Sequence, residues 1–72
     1  MRAKVNLDTF SKINAFVSVC ARLDCPVRLI DGHGYCVSGQ SLLGAMATMD
    51  WREVFVECDR DIYAHLQCFL AE

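Results

Sequence analysis

Gly39-Gln40-Ser41-Leu42-Leu43-Gly44-Ala45-Met46 is the stretch on which the reading of this chain turns. Ser41 precedes a short apolar run, and its side-chain oxygen can accept a hydrogen bond from a free amide of a first helical turn. The spacing therefore predicts a mini-helix capped by Ser41 and ending near Met46, released from the preceding segment by Gly39. Just upstream, Asp31-Gly32-His33-Gly34 offers two glycines for positive φ between two short apolar runs, which is the signature of a hairpin loop. A hairpin followed at once by a capped mini-helix anchors the rest of the pattern.

Working outward, residues 4–7, Lys-Val-Asn-Leu, alternate and predict a strand with Val5 and Leu7 facing inward. Asp8 or Thr9 caps a helix whose apolar stripe is Phe10, Ile13, Val17, Cys20 and Leu23, widened by Phe16. Lys12, Asn14, Ser18 and Arg22 fall on its wet side. Asp24-Cys25-Pro26 ends it, because the residue before proline is pushed toward extended backbone. Residues 27–30 form the first hairpin strand, with Val27 and Leu29 inward. Residues 35–37 form the second, with Tyr35 and Val37 inward. Residues 47–50 are a connector. Residues 52–57, Arg-Glu-Val-Phe-Val-Glu, predict a fourth strand with Val54 and Val56 inward. Asp59 caps a last helix with Ile62, Leu66, Phe69 and Leu70 on its apolar face.

The expected architecture is α+β: one domain over 1–72, a four-stranded antiparallel sheet with three helices on one face. The opposite face carries Arg28, Ile30, Cys36, Glu53, Phe55 and Glu57, a mixture that tolerates water. Apolar residues make up 54% of the chain, enough for a compact core. A domain of this size still buries only about 60% of its unfolded surface, so its margin of stability is small.

Charge and cysteine usage exclude several function classes. The net charge is −2 and the basic residues are scattered, which argues against nucleic-acid binding. No run approaches the roughly 18 apolar residues of a membrane span, and no secretory leader pattern is present, so no membrane partner is expected. Five cysteines, at 20, 25, 36, 58 and 68, make an odd count with no Cys-x-x-Cys. That is a poor disulfide or zinc framework, and it predicts free thiols, no metal and no cofactor in a reducing cytoplasm. Cys36 and Cys68 are expected on exposed faces, on different elements. No acid–base pair converges by spacing, so no enzyme active site is expected.

The element order and the segment Ser41-Leu42-Leu43-Gly44-Ala45-Met46 together resemble the histidine-containing phosphocarrier proteins (HPr) of the bacterial sugar phosphotransferase system. In that family the segment reads Ser-Ile-Met-Gly-Val-Met, and Ala21-Arg22-Leu23-Asp24 is similar to the end of the family's first helix. The resemblance covers nearly the whole chain and implies an open-faced β-sandwich of order βαββαβα. The family's phosphoacceptor His and its Arg sit at the start of the first helix. Counting back from Leu23, those positions fall on Thr9 and Ser11. A threonine hydroxyl without an adjacent base is no substitute for an imidazole nucleophile.

The resemblance further implies a regulatory Ser41, a target of an ATP-dependent kinase in some bacteria, and a partner-docking surface comprising Leu42, Leu43 and Met46, to which the start of the first helix is expected to add Phe10. One branch of the family lacks the His, keeps the Ser and serves in carbon catabolite repression. This chain also lacks the Arg and the charged residues around the Ser. The expectation is thus a cytoplasmic, HPr-like regulatory or adaptor protein that acts on a protein partner by contact. A working phosphocarrier and a metal or redox role for Cys and His are the alternatives. His33 in the hairpin loop and His65 beside the last apolar face need no functional explanation.

Overall fold

The computed structural model describes residues 1–71. Thr9 starts the first helix as the spacing requires. Its Oγ1 accepts from the Lys12 amide at 3.2 Å, and the helix α1 runs Phe10–Ala21. Four short strands accompany it: β1 (Arg2–Val5), β2 (Arg28–Ile30), β3 (Cys36–Ser38) and β4 (Val54–Glu57). They form one antiparallel sheet in the order β1-β4-β2-β3. The late strand β4 is inserted between β1 and β2, so α1 carries the chain across the sheet to leave that gap. The second helix, α2 (Leu42–Met46), is capped by Ser41, whose Oγ accepts from the Gly44 amide at 3.2 Å. The connector after it closes into a 3-10 turn over Ala47–Asp50. The architecture is a small α+β fold.

Strand parity sorts the two faces. Ala3, Val5, Leu29, Val54 and Val56 point to the helix side and are buried, as are Leu7 and Val27 just outside the strands. Ile13, Phe16 and Cys20 of α1 close over them, with Val17, Leu23 and Val37 partly buried at the margin. The outer face is a ladder of charges. Arg2 and Arg28 pair with Glu57 at 3.7 and 3.2 Å, and Lys4 with Glu53 at 3.4 Å. The Arg2 guanidinium also lies 5.8 Å over the Phe55 ring. Such exposed pairs contribute only about 0–1 kcal/mol each, so they solvate this face more than they hold it.

Several expectations need correction. β1 lies two residues earlier than the alternation placed it. A shift of two preserves parity, so Val5 and Leu7 still face the core. Phe10 is not part of the core stripe: it is 51% exposed in the first turn of α1. Tyr35 does not face inward. It lies beyond the last rung of the hairpin, Ile30↔Cys36, is 69% exposed, and leans on Trp51 with ring centroids 6.4 Å apart.

The expected third helix is absent among the described residues, which contain two α-helices. After β4 the chain makes a 3-10 turn over Tyr63–His65, then runs along the outer edge of β1. There the Asn6 amide donates to the Phe69 carbonyl at 2.8 Å, the Ala71 amide to Lys4 at 3.0 Å, and Val5 bridges Leu70. A helix through this segment would satisfy its own amides and leave the β1 edge open. The extended course pairs that edge instead. Ile62, Leu66 and Phe69 are buried all the same, because burial follows the apolar side chains and not the helical spacing.

Phe69 meets Phe16 edge to face, centroids 5.4 Å apart and planes at 87°. Phe69→Ala is expected to destabilise the fold by about 3–5 kcal/mol, a large share of the roughly 5–15 kcal/mol of a whole domain. Denaturant unfolding measures it. A loss under about 1 kcal/mol would show that the C-terminal segment does not close the core.

Candidate functional site

The mini-helix presents its apolar side chains outward. Ala45 is its buried residue, and α2 packs against α1. With Ala45 turned in, Leu42 and Met46 lie on its flanks, 37% and 38% exposed, and Leu43 points away at 83%. Met49, one turn further on, is also exposed, as is Phe10 on α1. Gly44 lies close to the sheet: a Cβ there would lie 3.3 Å from the Ser38 carbonyl, so α2 sits directly on the end of β3. From Ser41 to Met49 the chain carries no charged residue. Exposed apolar residues of this size, held on a capped and packed helix, offer a rigid surface of low charge.

The start of α1 holds hydroxyls and no imidazole. Thr9 Oγ1 is engaged in the cap, and Ser11 is exposed. Asp8 pairs with Lys12 at 3.1 Å across the first turn, so the helix start already has a carboxylate beside it. His33 and His65 are exposed on other elements, in the hairpin loop and the 3-10 turn. Cys36 and Cys68 are exposed and Cys20, Cys25 and Cys58 buried, all as free thiols. Among the described residues, no group of three His, Cys, Asp or Glu side chains is arranged to hold a metal ion. No helix there is long and apolar enough to cross a membrane.

Two features escaped the sequence. The first is Gln40, which has no motif around it. Its side-chain oxygen accepts from the Val27 amide at 3.2 Å, and its nitrogen donates to the carbonyls of Cys25 and Cys20 at 2.8 and 3.3 Å. One amide thus ties the end of α1, the following turn and the approach to β2.

The second is an open cleft of about 650 Å³ at the end of the sheet, where Tyr35 and Trp51 stand beside Lys4, Asp31, His33 and Glu53. Lys4 is paired with Glu53, and Asp31 Oδ1 accepts from the amides of His33 and Tyr35 at 2.7 and 3.0 Å. Asp50 and Arg52 line it too, so the cleft offers a solute charged groups as well as aromatic rings. The rung Ile30↔Phe55 brings the 31–35 loop toward the 50–53 segment, and no local signal announces a pairing across that separation.

Neither the family models, nor the curated proteins, nor the solved structures searched contain a match to this chain.

Burial pushes the Asp31 carboxyl up, but the two amides that donate to it and the nearby His33 ring pull it down further. Its net position is below the ordinary 3.8. A carboxyl lowered by folding stabilises the fold fully above its unfolded value and loses that contribution as pH falls through its folded value. Asp31→Ala should thus separate from the wild type in urea midpoint above about pH 4 and converge with it as the carboxyl protonates. A gap that stays constant to about pH 2 would show that the charged carboxylate is not what holds the loop.

Proposed function

We propose that this chain is an HPr-like regulatory or adaptor protein, acting by protein–protein contact through α2 and the start of α1 and not by histidine phosphotransfer. The observation that carries the reading is Leu43, 83% exposed on a capped helix and flanked by the half-exposed Leu42 and Met46. The capped helix fixes the backbone that carries these side chains, and exposed apolar residues with a polar rim are the usual anatomy of a modest docking site. The matching partner has an apolar recess of low charge, since residues 41–49 bring no charge to steer it.

The link to the phosphotransferase system is supported by the motif at Ser41 and by the order of elements up to β4. The chain departs from the family's pattern in its last segment, where a strand-like edge stands in place of the final helix. Regulation at Ser41 fits the same reading. The residue is exposed, and a phosphate there would set roughly two negative charges at the edge of the apolar residues.

A working phosphocarrier is the second reading. It needs an imidazole at the start of α1, where Thr9 and Ser11 stand. Incubation with labelled phosphoenolpyruvate and Enzyme I is expected to leave the protein unmodified by mass. Acid-labile phosphate on His33 or His65 would reverse the choice between the two readings. Thr9→His alone is expected to restore little transfer, because the Arg would still be missing.

The docking face has its own test. Leu43→Asp should leave circular dichroism and unfolding unchanged, because that side chain is largely in water. It should abolish capture of a protein partner from host lysate. Sedimentation of wild type and variant separates this from self-association. Identical captured proteins from both would remove the assignment.

A further inference from the structure

Two buried thiols meet where no secondary-structure element requires them. Cys25 lies in the turn between α1 and β2, and Cys58 directly follows β4, yet their Sγ atoms are 3.5 Å apart. Both backbones are held. The Cys25 carbonyl accepts from Gln40, and the Cys58 amide donates to the Met1 carbonyl at 3.0 Å. A second link joins the same two segments, since Arg60 pairs with Asp24 at the surface beside the thiols. The two residues differ in exposure: Cys25 keeps 8% of its surface, Cys58 only 2%. Cys20 is fully buried behind them.

We propose that Cys25 and Cys58 are a dithiol–disulfide couple, which a low-molecular-weight disulfide such as oxidised glutathione closes in the folded protein. The Cys25 thiolate attacks one sulfur of the small disulfide. That S–S bond breaks, one small thiol leaves as thiolate and takes up a proton, and Cys25 is left as a mixed disulfide. The Cys58 thiolate then attacks the Cys25 sulfur, and the second small thiol departs. The protein loses two electrons and two protons, and the small disulfide gains both. Cys25 is the attacking residue because it is the more exposed of the two, and Cys58 resolves because it is already in contact.

The hydrogen bond that Cys25 shares with Cys58, which favours the protonated thiol, then burial, raise the Cys25 thiol above its ordinary 9.0. Arg60 lowers it and Asp24 raises it. Burial and the two neighbouring cysteines push Cys20 up to about 12, so it takes little part at neutral pH. The rate of closure should therefore climb about tenfold per pH unit between pH 7 and 9, following the thiolate fraction of Cys25. The bond joins positions 33 apart in sequence, which restricts the unfolded chain and should raise the melting temperature.

The test uses the full chain with the exposed thiols removed, Cys36→Ser with Cys68→Ser. The reduced, folded protein is incubated with oxidised glutathione, quenched in acid, alkylated and mapped by mass. The expected product has lost two hydrogens and carries a Cys25–Cys58 linked peptide with Cys20 alkylated. It melts higher than the reduced form, and a dithiol reductant reverses the change. Three alkylatable thiols, a persistent glutathione adduct on Cys25, or a link that includes Cys20 would overturn the proposal. So would a closure rate that rises steeply with urea well below the unfolding transition, because the bond would then form only in opened chains.

Discussion

The fold hangs on the close approach at Gly39 and Gln40. A Cβ on Gly39 would stand 3.0 Å from Val27 Cγ1 and 3.2 Å from the Phe16 ring, so a larger residue would press on both side chains where the chain leaving β3 passes over the core. The Gly39 amide donates to the Val27 carbonyl at 2.7 Å, and the Gln40 side chain then takes up the Val27 amide. These bonds satisfy backbone groups of a turn that has no ladder or helix of its own, which is the condition for burying it. With that junction in place, α1, the start of β2 and the cap of α2 have fixed relative positions. A single misplaced side chain there would disturb all three.

The same economy governs the edge of the sheet. β1 is the outermost strand, and an open edge invites pairing with another chain. Residues 69–71 occupy it, while the buried Phe69 ring presses on Phe16 from the C-terminal side. One segment thereby supplies hydrogen bonds to the strand and a cover to the core. In a domain that buries so little of its surface, that double use decides against the local preference for a helix.

The surfaces differ in kind. The outer face of the sheet is solvated by paired charges, and the charge-free mini-helix leaves leucine and methionine in water. Only the second arrangement lacks a structural reason, which is why it bears the functional reading. At the start of α1, Thr9 Oγ1 accepts the Lys12 amide as a cap.

What the sequence by itself determined is what acts within a few residues along the chain. Thr9 and Ser41 cap their helices because a side-chain oxygen reaches an amide three positions on. Gly32 and Gly34 both take positive φ, and Val5, Leu29, Val54 and Val56 face inward because strand alternation has period two. The exposure of the mini-helix was legible too, since one short turn cannot bury side chains on every side. Only the tertiary structure decided the rest. The segment after β4 gave up its helix to an edge more than sixty residues earlier. Tyr35 left the core side for Trp51, Gln40 became a tie between elements, and Cys25 met Cys58. Each depends on which distant groups need a partner or a cover, and that is set once the elements have packed.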